Sequence, residues 1–338
     1  MKLLVCGGAG FIGSNFIRHI LTAREDVQVI NYDKLTYAGN LDNLAAVAEN
    51  SRYRFVQGDI SDAEAVDSVF AEHQPDAVVN FAAETHVDRS IHLGSREFVL
   101  TNVVGVQTLL DACRRHGTKK IVQISTDEVY GSLALDETRK FIETTPFAPN
   151  PPYAAAKAGG DLICRAYFQT FKVPVIVTHC SNNYGPYQFP EKLIPFSIFK
   201  ALADEPVPIY GDGLYVRDWI HVLDHCRAIQ AILERGSAGE VYNIGADNER
   251  ANLDVVKMIL AELGKPETLM EQVADRPGHD RRYAIDASKI TRELGWRPNY
   301  TREKFADGLR ETISWYRENT AWVEKLRKRQ AEINAHIR

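Results

Sequence analysis

Short apolar runs alternate along the chain with longer segments of helical periodicity. Leu3–Cys6, Val27–Asn31, Tyr53–Val56, Ala77–Asn80, Lys120–Ile124 and Val175–Thr178 read as strands, the first of them a short apolar run of the kind buried in a parallel sheet. Between them, Phe11–Leu21, Asp62–His73, Arg96–His116 and Tyr153–Thr170 read as helices. Strand and helix in strict alternation, joined by short connections, predict an α/β fold with a doubly wound parallel sheet. The pattern loosens after Asn183, where Pro186, Pro190, Pro195, Pro206 and Pro208 break the chain into short pieces. Residues 215–235 read as one more strand and helix, returning to the first lobe. Asn252–Leu263 and Thr301–Ile313 predict helices of a smaller mixed α/β C-terminal lobe. The charged segment 314–338, with Trp315 and Trp322, predicts a closing helix with one packed face. The expected division is 1–183 with about 215–245 in one lobe, and about 184–214 with 246–338 in the other.

The loop after the first strand gives this frame a chemistry. GGAGFIG holds G-x-G-x-x-G at Gly8, Gly10 and Gly13, and a wider G-x-x-G-x-x-G from Gly7. It follows a strand and opens a helix, as a Rossmann-type dinucleotide site requires. Glycine allows the tight turn and close backbone approach to a pyrophosphate. The helix start at Phe11 and Ile12 offers free amides and a positive dipole end. Asp33, after the second strand, predicts a hydrogen bond to an adenosine ribose and favours NAD over NADP, against the adjacent Lys34. Asp59 is placed either to fix the adenine edge or to cap the turn before Ser61.

Tyr153 and Lys157 are four apart on a predicted helix and share a face. A phenol beside a nicotinamide can take a hydroxyl proton if a nearby ammonium favours its ionised form. The segment STDEVYG, residues 125–131, lies at the carboxyl end of a strand, where open parallel sheets place their sites. Thr126 offers a hydroxyl; Asp127 and Glu128 offer adjacent carboxylates that can divide acid and base roles if their environments differ.

Composition narrows the picture further. The 338 residues are 45% hydrophobic and 25% charged, ordinary for a globular protein large enough for two lobes. A net charge of -5 gives no global attraction to nucleic acid or an acidic membrane. Cys6, Cys113, Cys164, Cys180 and Cys226 are scattered and odd in number, against a disulfide framework and for a reducing compartment. No leader-like start and no membrane-length apolar run is evident, so a cytoplasmic protein is expected. His86, His221 and His225 make no convincing metal set, and no metal is expected. Tyr184 and Tyr187 are expected to be site-wall residues.

Several segments together carry a resemblance: GGAGFIG, YDKLTYAGN (32–40), AAETHVDRSI (82–91), STDEVYG, PYAAAK (152–157), CSNNYGPYQFPEKLIP (180–195), YGDGLYVRDWIHV (210–222), YNIG (242–245) and DRPGHDRRYAID (275–286). Over almost its whole length the chain resembles the extended short-chain dehydrogenase/reductase superfamily, and within it the dTDP-glucose 4,6-dehydratases. The Asp-Glu pair separates it from 4-epimerases, which lack one. The resemblance implies that Tyr153 takes the sugar 4-hydroxyl proton while NAD+ takes the C4 hydride. Glu128 then removes the C5 proton and Asp127 protonates the leaving 6-hydroxyl, before hydride returns to C6. Thr126 polarises the C4 oxygen, and Lys157 holds the nicotinamide ribose.

The same resemblance implies cofactor contacts at Gly7, Gly10, Phe11, Ile12, Gly13, Asp33, Lys34, Leu35, Thr36, Asp59, Ile60, Phe81, Ala82, Ala83, Thr85, Thr101 and Asn183, besides Tyr153 and Lys157. Sugar-nucleotide contacts fall on Thr85, Thr126, Asn182, Lys192, Leu193, Pro208, Tyr210, Arg217, Asn252, Arg276 and His279. A homodimer pairing the Arg96–His116 and Tyr153–Thr170 helices is implied. The chain departs from the family at His179, where arginine is usual, at Ala154, where serine is common, and in a shorter loop before residue 125. A UDP-sugar 4,6-dehydratase, a 4-epimerase and a non-catalytic NAD-binding module are the competing readings.

Overall fold

The computed structural model describes residues 1–92, 94–275 and 277–335, with side chains to residue 329. Among the described residues twelve strands form three sheets. In chain order they are β1 (Lys2–Cys6), β2 (Gln28–Asp33), β3 (Tyr53–Gln57), β4 (Ala77–Asn80), β5 (Lys120–Thr126), β6 (Val175–Cys180), β7 (Asn182–Tyr184), β8 (Val207–Tyr210), β9 (Val216–His221), β10 (Val241–Ile244), β11 (Glu249–Ala251) and β12 (Met270–Val273). The central sheet has the order β10-β6-β5-β4-β1-β2-β3, every pairing parallel. Its order reverses between β1 and β4, so a crevice opens at the carboxyl ends of these strands.

Helices cover both faces, as buried apolar strands demand. Phe16 and Ile17 of the helix Phe11–Ala23 and Ile229 and Ile232 of the helix Val222–Arg235 pack with Val5, Val79 and Val122 in one cluster. On the other face, Phe70, Leu109 and Cys164 from three helices pack with Leu4, Val78 and Ile121. Alternate residues of β1 thus feed opposite clusters, the period-2 consequence of strand geometry. The helix Ala63–His73 starts on Asp62, whose Oδ1 accepts from the amides of Glu64 and Ala65. A third cluster, holding Tyr184, Trp219, Val255, Ile259 and Phe305, joins the helices Leu193–Leu202, Asn252–Glu262 and Phe305–Glu318 outside the sheet.

Two elements differ from their periodicity. Arg96–His116 is not one regular helix: Leu100–Gly105 forms the wider π turn. There Asn102 uses its amide on the backbone of Glu84, and a Cβ on Gly105 would sit 2.6 Å from Ile60. Such turns commonly fall at functional sites, and Thr101 faces the crevice here. The segment expected as one closing helix over 314–338 is not one helix across its described residues, 314–335. Asn319 ends the helix Phe305–Glu318 and a second helix runs over Thr320–Ala335, burying Val323 and Leu326.

Candidate active site

One cavity of about 670 Å³ runs along the crevice from the glycine loop to His279. Its floor is built by the chain segments leaving β1, β4, β5 and β6. Gly7 has φ 72°, and a Cβ there would lie 2.5 Å from the Ala82 amide nitrogen. A Cβ on Gly13 would lie 2.4 Å from the Gly7 carbonyl oxygen. The helix Phe11–Ala23 starts on Gly10 with no side-chain cap, so its first amides open into the cavity beside Phe11, Ile12 and Gly13. That combination of closed backbone and open donors fits a pyrophosphate. Gly7→Ala meets both positive φ and a backbone collision, so it is expected to destabilise the fold by about 2–4 kcal/mol. Chemical denaturation of the variant checks this.

Asp33 is buried, and its carboxylate already accepts from the amides of Ala9 (2.9 Å) and Leu35 (2.8 Å). Burial raises its pKa, and those two bonds oppose the rise. Each oxygen keeps a lone pair for a further donor. Lys34 pairs with Asp59 at 2.7 Å. The other Asp59 oxygen accepts from the Ser61 amide and hydroxyl, so Asp59 closes the turn while Asp62 caps the helix. Thr36, Ile60, Phe81, Ala82, Ala83, Thr85, Thr101 and Asn183 also line the cavity. Leu35 does not figure among its lining residues; its amide serves the Asp33 turn.

Deeper in, β5 delivers Thr126, Asp127 and Glu128, and the helix Pro152–Phe171 brings Tyr153 and Lys157 to the same cavity. Asp127 is 1% exposed; its Oδ1 takes a 3.4 Å contact from the Thr126 hydroxyl and its Oδ2 has no hydrogen-bond partner. Burial drives this carboxyl well above the usual range. Glu128 and Asp218 push the same way, and Arg217 opposes them. Burial thus favours the protonated form of Asp127, whereas neighbouring Glu128 is only partly buried. Tyr153 is likewise pushed up, first by burial and then by Glu128, with a hydrogen bond to Thr126 acting against them. Lys157 is pushed down by burial and held up by Asp161; its ammonium donates to the Ile124 carbonyl at 2.7 Å.

Beyond the acids the cavity reaches Asn182, Lys192, Leu193, Pro208, Tyr210, Arg217, Asn252 and His279; Arg276 lies outside the described residues. Arg217 is buried over the Tyr283 ring and donates to the carbonyls of Val216 and Asp280. Lys192 donates to the Thr85 carbonyl at 3.2 Å. His279 stacks on Tyr215 and bonds Asp275 at 2.8 Å. The buried Oδ1 atoms of Asn182 and Asn252 lack partners among the described residues.

A further wall of the cavity carries acids outside the expected contacts. Glu191 accepts from the Tyr37 hydroxyl at 3.1 Å and lies 3.4 Å from His86, while Glu84 faces Arg89 at 3.7 Å. The charged residues at 82–91 and 191–192 were the available signal. Tyr184 and Tyr187, expected in the wall, are instead packed away from it. Tyr184 is buried between His221 and Phe305, and Tyr187 lies under Arg18 and against Trp315. The described residues contain no group of three or more potential metal ligands.

His225 buttresses the cofactor end, its Nδ1 2.9 Å from the Asn183 Oδ1. Burial pushes His225 down to about 3 and His221 down to about 4. Both native pKa values lie below the unfolded value, so the unfolded chain binds more protons as pH falls below about 6.5. Stability is expected to drop through that window by up to about 2.7 kcal/mol per pH unit for the two groups together. Urea unfolding near neutral and mildly acidic pH should show a smaller drop in His225→Gln.

The matches to known proteins agree with this geometry. A family profile described as GDP-mannose 4,6 dehydratase covers residues 4–312. The dTDP-glucose 4,6-dehydratase of Xanthomonas campestris pv. campestris (strain B100) is 53% identical over 339 aligned positions, covering 95% of this chain and 94% of that one. A crystal structure of dTDP-glucose 4,6-dehydratase from Bacillus anthracis str. Ames, in complex with NAD, superposes with a TM-score of 0.89 at 49% identity, covering 96% of this chain and 99% of that one. The UDP-glucose 4-epimerase of Thermotoga maritima shares the fold at a TM-score of 0.85 but only 29% identity, covering 95% of this chain and 100% of that one. Nearly full-length identity of this order, on a crevice with this acid pair, makes the chain a member of the dTDP-glucose 4,6-dehydratases of the extended short-chain dehydrogenase/reductase superfamily.

Proposed function

We propose that the chain converts dTDP-glucose to dTDP-4-dehydro-6-deoxy-glucose and water, with NAD as its cofactor and Asp127 as the acid of the elimination. The observation that carries this reading is Asp127 itself: a buried carboxyl whose pKa burial raises, with an unpartnered oxygen, lining the cavity beside Glu128 and Tyr153. Epimerisation at C4 needs no such proton donor.

When bound in the crevice beside Gly7, Gly13 and Asp33, NAD would supply a reversible two-electron acceptor, so the overall reaction would be redox-neutral. Tyr153 removes the proton of the 4-hydroxyl, and Thr126 hydrogen-bonds the C4 oxygen as it becomes a carbonyl. That ketone acidifies C5, whose proton goes to Glu128. The C5 electron pair forms the C5–C6 double bond while Asp127 gives its proton to the departing 6-hydroxyl, and water leaves. A proton is added back at C5 when C6 is reduced. Lys157, one turn along the helix from Tyr153, would hold the nicotinamide ribose. Lys192, Arg217 and Arg276 supply the positive partners for the diphosphate, with Asn182, Leu193, Pro208, Tyr210, Asn252 and His279 around the remainder. In D2O the product should carry solvent deuterium at C5 and none at C6. Deuterium at C4 instead would favour a different reaction.

The lobe division at 1–183 with 215–245 is supported by the helix Val222–Arg235 and β10, which pack on the central sheet. Homodimerisation is supported by Val99, Val104, Leu162 and Phe171, exposed on the segment Arg96–His116 and the helix Pro152–Phe171. Light scattering of the holoenzyme tests it. No helix among the described residues is long and apolar enough to cross a membrane, and a cytoplasmic location accords with five free, buried cysteines.

A further inference from the structure

We propose that Trp322 and Arg329 are positioning residues of the cofactor site: through them the last helix holds the turn 36–39 across the adenosine end of the crevice and sets how slowly NAD leaves. This rests on NAD binding in the crevice, as read above, and not on the steps of the reaction.

The chain leaving Asp33 at the end of β2 runs along the crevice, where Thr36, Ala38 and Gly39 line the cavity. The Gly39 amide donates to the Thr36 carbonyl at 3.1 Å and closes a four-residue turn. Tyr37, on that turn, donates its hydroxyl to Glu191 at 3.1 Å and meets the Phe189 ring edge-on. Phe189 and Glu191 follow β7 of the three-stranded sheet. The turn therefore joins the central-sheet side of the crevice to the opposite side, next to Asp33. An adenosine whose ribose is held by Asp33 has this turn across its way out.

Arg329 grips the turn from outside. Its Nη2 donates to the Thr36 carbonyl at 2.8 Å, and its Nη1 donates to the Gly39 carbonyl at 3.0 Å. One guanidinium fork thus joins the first and last residues of the turn. Trp322, seven residues earlier on the same face of the helix Thr320–Ala335, reaches the glycine loop. Its Nε1 donates to the Asn43 Oδ1 at 2.8 Å. Asn43 is buried, and its Nδ2 donates in turn to the Ala9 carbonyl at 3.0 Å. The Asn40 amide donates to the same carbonyl at 3.0 Å, while the Ala9 amide donates to Asp33. Arg329 thus holds the turn on one side of Asp33, and Trp322 holds the glycine loop on the other through Asn43.

The helix brings these donors already fixed. Val323 is buried in the third cluster, and Trp322 packs against it. The Trp322 ring stands 5.0 Å from Trp315 and 6.0 Å from Tyr187, which lies under Arg18. Donors held this way lose little freedom in gripping the turn, so their bonds act against its opening. Lys325 on the same helix pairs with Asp42, but both side chains are exposed, and such a pair contributes little.

The test measures cofactor release directly. The full-length protein is loaded with ¹⁴C-labelled NAD and chased with excess unlabelled NAD, and bound label is followed by rapid gel filtration. Arg329→Met keeps an aliphatic stem and removes both donors; label should leave about 10–100-fold faster than from wild type. Trp322→Phe keeps most of the ring packing and removes one donor; release should be about 3–10-fold faster. Arg329→Lys keeps the charge without the fork and should recover little of the loss. Lys325→Ala should release NAD at the wild-type rate. The urea midpoints of the NAD-free variants and their KM for dTDP-glucose should stay near wild type, which a general loosening of the fold would not allow. Wild-type release from both Arg329→Met and Trp322→Phe overturns the proposal, as does an equal acceleration in Lys325→Ala. A wild-type protein that binds no NAD overturns the cofactor reading and this proposal together. One that holds labelled NAD but leaves dTDP-glucose unchanged overturns the proposed reaction alone, and the release rates still decide the role of Trp322 and Arg329.

Discussion

Asp127→Asn should lower kcat on dTDP-glucose by about 10²–10³, with KM little changed. The amide matches the neutral carboxyl in shape and can donate a hydrogen bond, but it has no proton to release to a leaving hydroxyl. Oxidation at C4 does not need that proton. The variant should therefore stop after the first stage, with a 4-keto sugar that has kept all its oxygen and with the absorbance of reduced nicotinamide persisting. Rapid quenching with mass analysis reads the first, and stopped-flow absorbance the second. The variant should also fold normally. Burial favours the uncharged form of Asp127, and no ion pair among the described residues holds its carboxyl, so the neutral amide suits the same site. Full turnover by this variant would remove Asp127 from the elimination.

Tyr153→Phe acts one stage earlier and should cost more, about 10³–10⁴ in kcat. Without the hydroxyl no group at that position takes the O4 proton, and C4 oxidation does not begin. Neither the 4-keto sugar nor reduced nicotinamide should accumulate, which separates this variant cleanly from Asp127→Asn. The pH dependence carries further information. Burial and Glu128 hold the Tyr153 phenol above its ordinary value in the protein alone, while Thr126 pulls the other way. Lys157 is turned to the Ile124 carbonyl. Activity should therefore rise with pH on its acidic side as the phenol is deprotonated. Thr126→Val should move that limb upward by removing the hydrogen bond that favours the phenolate.

Much of this was legible in the residues because local physics dictates it. The glycine loop needs Gly7 and Gly13 where a Cβ would meet backbone, and that requirement reads directly as G-x-x-G-x-x-G. The central strands announce themselves as short runs buried on both faces. Tyr153 and Lys157 share a face through helical spacing alone. Other features depend on contacts across long separations. The π turn at Leu100–Gly105 answers to Glu84 and Ile60, which periodicity in 96–116 does not contain. Tyr184 and Tyr187 look like wall residues in their motif, yet Phe305 and Trp315, more than a hundred residues on, draw them into the third cluster. Glu191 joins the site through Tyr37 and His86, and His179 meets Asp161, Tyr130 and Ser125 only once the sheet is assembled. A strand signal also says nothing of which sheet it joins: β9 precedes a helix of the central layer but pairs with β7 and β11.

The central claim is that hydride removal and return enclose an elimination, so that NAD acts as a retained catalyst and not as a released product. Incubating the holoenzyme with dTDP-glucose and analysing the product by mass and NMR tests this most directly. The product should be a nucleotide sugar lighter by one water, with a ketone at C4 and a methyl group at C6, formed without net reduction of NAD. A product of unchanged mass with inverted configuration at C4 would contradict it.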